Sequence, residues 1–273
     1  MNTNKEEVDS KKNEQPPLRP GDSYVQSFAR GLDVIKAFNS DAPQQSLSQV
    51  AAATGISRAG ARRILHTLVH LGYVGTDGRL FFLTPKILDL GYAYLTSMPF
   101  WDAAQPIVEN LVQQVKESSS ISMLEGSDIV YVLRVSTRRV MSLNLSIGSR
   151  LPVALTSMGR VLLSGLNDDQ LDEQIRIHFE KPPSGLDGLS SPDKMRKEIE
   201  IVRQQGWAMV DRELEPGLIS IAAPIRDRKK QIIAAINVSG VAGNEFAKEH
   251  MLQMLPKLLK AADEISGLVS KRT

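Results

Sequence analysis

Residues 54–63 read Thr-Gly-Ile-Ser-Arg-Ala-Gly-Ala-Arg-Arg, and this segment identifies the type of domain in the N-terminal region. Gly55 is a typical C-terminal stop for a helix, and Ser57 is a typical N-cap for the next one. The stretch therefore predicts two short helices separated by a sharp break. An Asp-Gly pair at residues 77–78 then lies between two apolar runs, which is a strong hairpin signal. We interpret residues 46–83 as a helix-turn-helix followed by a wing.

The second predicted helix has an apolar side, formed by Ala61, Ile64, Leu65, Leu68 and Leu71 at 100° per residue, and an opposite basic side. Small residues in its first turn let the backbone approach a major groove while arginines reach base edges or phosphates. A solvated helix face is the alternative for such a cluster. The wing favours DNA binding, because a basic hairpin residue is placed to touch the backbone or the minor groove. The predicted DNA-contacting residues are Ser57, Arg58, Ala59, Gly60, Arg62, Arg63, His66 and Arg79.

Composition is consistent with a two-domain protein that recognises DNA locally. The chain has 273 residues, 42% of them hydrophobic, which is enough for a small and a larger core. The net charge is only +2, whereas residues 55–80 hold four arginines and one acid, so basicity is local. The absence of cysteine favours a reducing cytoplasm. The lack of a long apolar run argues against secretion and membrane insertion.

The chain divides into four predicted segments. Residues 1–21 are polar and contain three prolines, a composition typical of a disordered tail. Residues 22–84 form the DNA-binding domain, and residues 85–98 form a linker helix that starts with Pro at its first position. This helix is largely apolar and needs a partner, either its own chain or a second subunit. The first helix of the DNA-binding domain is predicted to contribute its hydrophobic floor through Phe28, Leu32, Ile35 and Phe38.

Residues 99–273 predict an α+β domain. A long helix after Pro99 is followed by runs that alternate or are rich in β-branched residues. The pattern indicates an antiparallel sheet with helices outside. Strands are predicted at residues 121–125, 129–135, 140–145, 207–211, 218–225 and 231–238, and helices start near residues 156, 168, 192 and 244.

Several separated motifs resemble the isocitrate lyase regulator (IclR) family of transcriptional regulators. They are the helix-turn-helix, Leu-Thr-Pro-Lys-Ile-Leu-Asp-Leu-Gly at 83–91, Arg-Leu-Pro at 150–152 and Thr-Ser-Met-Gly-Arg-Val-Leu-Leu at 156–163. Residues 24–38 and 211–218 resemble the Pca/Pob subgroup. The resemblance implies a winged helix-turn-helix, a linker helix that pairs subunits and a GAF-like effector-binding domain. It also implies control of aromatic-acid breakdown in response to protocatechuate, 4-hydroxybenzoate or β-ketoadipate.

An acid effector needs a cation or backbone donors for its carboxylate, and an apolar slot. Arg134 is a candidate because it lies in an otherwise apolar strand, although an exposed strand face would also explain it. Family binding positions carried onto this sequence fall at Asp211, Glu213, Ser220, Asn237 and Ser239. Ser220 replaces a cysteine of the glyoxylate-binding members, and Asn237 replaces the first serine of their Ser-x-Ser pair, so we do not expect a glyoxylate-type effector.

Other side chains near these positions have a structural alternative. Met123 and Met158 are candidates for an apolar slot, or for filling gaps in a core. Thr156 and Ser157 are candidate helix caps, and Arg160 is a candidate partner in a structural ion pair.

The sequence does not suggest an enzyme. Phosphate-binding loops, dinucleotide turns, zinc-protease helices and nucleophile elbows are missing. His66 and His70 have a metal-compatible spacing, but no third ligand accompanies them. We expect no catalysis, metal or cofactor.

The predicted function is a ligand-responsive DNA-binding regulator. Its partners are a small organic acid and a roughly palindromic DNA operator, bound by a homodimer or a dimer of dimers. The alternatives are a regulator of another small-acid pathway, and a metabolite-binding signalling or assembly module without site-specific DNA binding.

Overall fold

The computed structural model describes residues 23–97, 101–137, 145–180, 182, 191–243 and 246–272. The chain forms two compact units, one ending at Ala93 and the other beginning at Tyr94. The predicted tail at residues 1–21 lies outside the described residues. So do nearly all of the strand predicted at 140–145 and the predicted start of the last helix at 244.

The helix-turn-helix forms where the capping residues predict it. Ser46 starts α2 with a reciprocal capping box, in which its side chain accepts the Gln49 N–H and the Gln49 side chain accepts the Ser46 N–H. Gly55 ends α2 in the left-handed conformation at φ 65°, which glycine adopts without strain. Ser57 starts the next helix by accepting the Gly60 N–H at 3.2 Å. The helices of this unit are α1 (Gln26–Lys36), α2 (Leu47–Thr54) and α3 (Arg58–His70).

A small sheet completes the N-terminal unit. Strands β1 (Gln44–Ser46), β2 (Val74–Thr76) and β3 (Leu80–Leu83) pair antiparallel in the order β1-β3-β2. The β2–β3 hairpin is the predicted wing. At its turn the Asp77 carboxylate accepts the backbone N–H groups of Arg79 and Leu80 at 2.8 and 2.7 Å. These bonds hold the turn by satisfying two backbone donors.

The core of this unit differs from the prediction on α1. Phe28 is 69% exposed and Leu32 is 37% exposed, whereas Val34 is fully buried and Phe38 nearly so. The prediction that Phe28 and Leu32 belong to the floor is therefore wrong. The reason is helical phase, because Val34 lies about 120° around α1 from Phe28, and Phe38 follows the end of that helix. Val34 and Phe38 pack in this core with further buried side chains, which include Val50, Ala61, Leu65, Leu68, Val74 and Phe81.

A 3-10 turn at Pro85–Ile87 leads into α4 (Leu88–Ser97), followed by α5 (Trp101–Val115). Among the described residues of the second unit, six strands form an antiparallel sheet in the order β6-β5-β4-β9-β8-β7. The strands are β4 (Ser118–Glu125), β5 (Asp128–Val135), β6 (Arg150–Pro152), β7 (Ala208–Asp211), β8 (Leu218–Arg226) and β9 (Ile232–Val241).

Helices cover both faces of this sheet, so the predicted α+β class is confirmed. Helices α5 and α9 (Ala247–Arg272) pack on one face around Ile121, Ile221 and Ile236. The other face carries α6 (Ser157–Ser164), α7 (Asp168–Glu180) and α8 (Pro192–Gln205). Alternation along β8 and β9 sends large aliphatic side chains to the first face and Ala222 and Ala235 to the second. The small alanines let α6 approach the sheet closely.

Candidate nucleic-acid interface and ligand cavity

The basic side of α3 is exposed in the structure. Ala61, Leu65 and Leu68 are buried on the opposite side, so the core fixes which face of the helix points outward. The exposed residues of α3 are Arg58, Ala59, Arg62, Arg63, His66, Thr67 and His70. Helix α3 contains no acidic residue, and this face therefore presents an uncompensated positive surface suited to phosphates and base edges.

Ser57 and Gly60, both predicted to contact DNA, have structural roles at the start of α3. The Ser57 hydroxyl is engaged as the N-cap. Gly60 is half-buried, and a Cβ there would lie 2.9 Å from Ile56 Cγ2, so glycine permits the tight turn between the helices. Arg79 is exposed at the tip of the wing. The N–H groups of Leu80 and Arg79 lower the pKa of Asp77, the acid beside it.

A cavity of about 300 Å³ opens at one end of the second unit's sheet. The N-terminus of α6 and the loop between β7 and β8 form its other walls. Its lining combines apolar side chains with hydroxyls, an amide, a guanidinium and the carboxylate of Glu215. The described lining residues are Tyr131, Arg134, Leu145, Leu155, Thr156, Ser157, Met158, Val210, Leu214, Glu215, Gly217, Leu218, Ser220, Asn237, Ser239 and Val241.

A β-bulge brings Arg134 to the cavity. Tyr131 pairs with Ser122 and Leu133 pairs with Ile121, so Val132 is an extra residue on β5. Tyr131 and Arg134 are an odd number of residues apart and would otherwise point to opposite faces of the sheet. Because of the bulge, Val132 and Leu133 both pack into the α5/α9 core, and Arg134 joins Tyr131 on the cavity side.

Arg134 has unused hydrogen-bonding capacity. Its Nη1 donates to the Ser120 hydroxyl at 3.2 Å, across the β4–β5 pair. Its Nε is buried and has no hydrogen-bond partner among the described residues. An unsatisfied buried guanidinium donor is costly. The arrangement therefore suits an anionic ligand that accepts from Nε.

The polar residues of β9 and β8 lie next to this arginine. The Asn237 side-chain oxygen accepts the Ser120 N–H at 3.0 Å, so this amide is oriented by β4. Ser239 lies opposite both Ser118 on β4 and Ser220 on β8. Hydroxyl groups from adjacent strands are thus gathered at one end of the sheet.

Helix α6 points its N-terminus into the same cavity. Thr156 is its N-cap and accepts the Gly159 N–H at 3.0 Å, while the Ser157 and Ser220 hydroxyl oxygens are 2.9 Å apart. Backbone N–H groups in a first helical turn have no partner within the helix. Together with the helix dipole they attract an anion. The cavity therefore has two anion-attracting groups, Arg134 and the start of α6.

Tyr131 supplies a buried phenol to the cavity wall. Burial raises the pKa of Tyr131 to about 12, and the opposing electrostatic effect of Arg134 is smaller. The phenol is therefore neutral and able to donate a hydrogen bond at physiological pH.

Four of the six predicted effector residues line the cavity: Arg134, Ser220, Asn237 and Ser239. Asp211 and Glu213 line a separate polar recess with Arg160, Lys194 and Lys248. Lys248 Nζ lies 3.5 Å from the Asp211 carboxylate, and Glu213 forms an ion pair with Arg160.

Sequence reasoning missed the phenol and several apolar walls, including Tyr131, Leu155 and Leu214. In a hydrophobic strand or loop, the sequence alone does not distinguish such cavity-lining residues from residues of the hydrophobic core. A regular alternation would even place Tyr131 and Arg134 on different faces. Within the described ranges, no three His, Asp or Glu side chains come together as a metal site.

Two family models match the chain in the order of its units. The IclR helix-turn-helix domain matches residues 27–78, and the C-terminal domain of bacterial IclR regulators matches residues 92–267. The chain belongs to the IclR family. It is a transcriptional regulator rather than an enzyme, from a family that binds DNA operators and small-molecule effectors. The predicted family and functional class are therefore confirmed.

The relatives of this regulator include Pca and Pob proteins. The Pca regulon regulatory protein of Pseudomonas putida is 43% identical over 89% of this chain and 83% of its own. The p-hydroxybenzoate hydroxylase transcriptional activator of Acinetobacter baylyi is 33% identical over 91% of this chain and 93% of its own. The resemblance to the Pca/Pob subgroup is therefore confirmed.

Solved structures share the fold. A regulator from Rhodococcus sp. RHA1 is 44% identical, with a TM-score of 0.80 over 90% of this chain and 98% of its own. An IclR homologue from Microbacterium hydrocarbonoxydans, complexed with 4-hydroxybenzoate, is 23% identical, with a TM-score of 0.77 over 89% and 98% of the two chains. At that identity the likeness supports the fold alone. Among the described helices, none is both long and apolar enough to cross a membrane.

Proposed function

We propose that this regulator controls genes of aromatic-acid breakdown, in the β-ketoadipate pathway, in response to a small organic acid bound in the C-terminal cavity. The observation that carries the proposal is Arg134, with its buried and unsatisfied Nε, in a cavity that also holds the start of α6. The Pca and Pob relatives support the choice of pathway. The candidate effectors are protocatechuate, 4-hydroxybenzoate and β-ketoadipate.

The cavity offers a complementary environment to such an acid. Arg134 and the first turn of α6 attract carboxylate oxygens, and Ser220, Asn237 and Ser239 add polar contacts. Leu155, Met158, Val210 and Leu214 supply apolar wall for a ring or an alkyl chain. A volume of about 300 Å³ is at the small end of ligand pockets, which suits a single-ring or short-chain acid.

On the DNA side, α3 enters a major groove and the wing contacts the backbone or the minor groove. Arg58, Arg62, Arg63, His66 and Ala59 form the reading face, with Arg79 on the wing. Ser57 and Gly60 set the start of α3 and bring its backbone close to the DNA.

The active species is a homodimer or a dimer of dimers. Helix α4 supports this proposal, because Leu88, Leu90 and Tyr92 are largely exposed on it and a second copy would bury them. Two recognition helices then read half-sites about 34 Å apart, or a multiple of that, on a roughly palindromic operator. By linkage, an effector that changes operator affinity is itself bound more or less tightly on DNA by the same factor.

The test is thermal unfolding of the wild type and of Arg134→Gln with protocatechuate, 4-hydroxybenzoate, β-ketoadipate and short 2-oxo acids. A ligand at about 100 times its Kd adds roughly 2.7 kcal/mol to folded-state stability. We expect one aromatic-pathway acid to stabilise the wild type selectively and to stabilise the variant much less. No shift with any aromatic-pathway acid would reject the pathway, and a full shift in Arg134→Gln would reject the arginine as the carboxylate ligand.

A further inference from the structure

The loop between β7 and β8 covers part of the cavity and is tied to α6 by an ion pair. Leu214, Glu215 and Gly217 of this loop line the cavity. The side chain of Glu213 points instead into the neighbouring recess, where it pairs with Arg160. The loop is therefore held from outside the cavity that it covers.

Arg160 is a rigid anchor for this contact. It lies one turn after Ser157 on α6 and is only 3% exposed. Its Nε donates to the Ala154 carbonyl oxygen at 3.2 Å, which fixes the guanidinium relative to the helix start. A buried guanidinium that loses its carboxylate partner is left uncompensated, so separation of this pair is unfavourable.

Backbone hydrogen bonds hold the base of the loop and close a turn within it, where the Leu218 N–H donates to the Glu215 carbonyl at 3.0 Å. The Arg212 N–H donates to the Leu218 carbonyl at 2.8 Å, and the Ala242 N–H donates to the Gly217 carbonyl at 2.9 Å. Arg212 adopts φ 62°, which turns the chain out of β7 in a conformation uncommon for a residue other than glycine. Between these points, the Glu213 carboxylate accepts a hydrogen bond from Arg160 and so joins the loop to α6.

We propose that the Arg160–Glu213 ion pair is a latch that holds residues 212–217 over the cavity and sets how fast the effector associates and dissociates. This inference rests on the effector site proposed above. Glu213 is a positioning residue, since it acts through the loop and does not line the cavity. A latch that closes the free and the occupied cavity alike slows association and release together and leaves the equilibrium affinity nearly unchanged.

The first measurement is hydrogen exchange in the free full-length protein, over peptides that span residues 211–219. Glu213→Gln removes the charge and keeps the shape, and Glu213→Asp keeps the charge with a shorter reach. We expect about tenfold faster exchange of this segment in Glu213→Gln and an intermediate rate in Glu213→Asp, with α7 and α8 unchanged. Lys248→Gln is the matched control, because it removes the Asp211–Lys248 ion pair of the same recess and is expected to leave the loop unchanged.

The second measurement is stopped-flow binding of 4-hydroxybenzoate, protocatechuate or β-ketoadipate, whichever stabilises the wild type. Association and release should both accelerate about tenfold in Glu213→Gln, with Kd changed by less than about threefold. Wild-type exchange at 211–219, or equally faster exchange across the whole domain, would overturn the latch. Faster release without faster association would also overturn it, because Glu213 would then strengthen binding instead of gating. Faster local exchange in a protein that binds none of the three acids would leave the latch standing and reject the proposed effector.

Discussion

The DNA-reading face and the ligand cavity are built in opposite ways. The face belongs to one helix of 13 residues, and the caps, the buried side and the basic side are all local in sequence. The cavity gathers residues from Tyr131 to Val241 on four strands, a helix start and a loop. The spacing of apolar residues predicts a single helix and its exposed face. A site that is formed by several strands depends on the register between segments that are distant in sequence.

The strongest effect is predicted for a core residue of α3. Leu65→Ala should destabilise the N-terminal unit by about 2–5 kcal/mol, because Leu65 is fully buried and its truncation leaves a cavity. Operator binding should be lost while the stabilisation by the effector persists, as calorimetry with and without ligand would show. Leu71→Ala at the C-cap of this helix is the control, since Leu71 is about half exposed. Simultaneous loss of the effector-dependent stabilisation would contradict separate folding of the two units.

The next effect is on the reading face itself. Arg62→Ala should weaken operator binding by about 1–3 kcal/mol without changing effector affinity of the free protein. Fluorescence anisotropy with operator DNA over a range of salt concentrations measures both the loss and the salt slope. Arg228→Ala removes the same charge from an exposed position on the other unit and should have little effect. Equal operator affinity in Arg62→Ala and the wild type would reject the assignment of α3.

A smaller effect is expected where the cavity depends on strand register. Ser120→Ala removes the hydroxyl that accepts from Arg134 Nη1, and should weaken effector binding by about 0.5–1.5 kcal/mol. Operator binding in the absence of effector should stay unchanged. Titration calorimetry measures the first quantity, with Ser164→Ala, a hydroxyl that bonds within α6, as the control. Unchanged effector affinity would mean that Arg134 is positioned by other contacts.

The smallest effect concerns the wing. Since backbone N–H groups of Leu80 and Arg79 lower the pKa of Asp77, the carboxylate stabilises the turn above the unfolded pKa. That contribution is lost as pH falls through the lower, folded value. NMR shifts of the Arg79 and Leu80 amides should therefore titrate in the acid range below the usual pKa of Asp. Asp77→Asn should abolish this titration. Wild-type amide shifts that do not change with pH would show that the Asp77 carboxylate does not stabilise the turn.

The sequence predicted much of this fold because capping and period are local signals. Ser57, Gly55 and the Asp-Gly turn determine their surroundings within a few residues. The sequence-based prediction failed where the burial of a residue depends on segments that are distant in sequence. Strand β4 begins at Ser118, three residues before the predicted start, because Ser118, Ser119 and Ser120 are polar yet buried against β9.

The candidate site was less accessible to prediction for the same reason. Four of the predicted effector-binding residues line the cavity, namely Arg134, Ser220, Asn237 and Ser239. Asp211 and Glu213 are neighbours of the site in sequence, but their side chains turn to the recess beside it. No periodicity in β5 indicates that Val132 is an extra residue, so the orientation of Arg134 could not be derived from alternation.

The bulge at Val132 separates the length of β5 from the orientation of Arg134. Loss of this one residue would restore regular alternation with Tyr131 and Arg134 two residues apart, so the guanidinium would still face the cavity and only Val132 would leave the α5/α9 core. A deletion at this point of the strand would therefore preserve the cavity lining. An ungapped alignment of β5 with a strand that lacks the bulge would then assign Arg134 to the wrong face of the sheet.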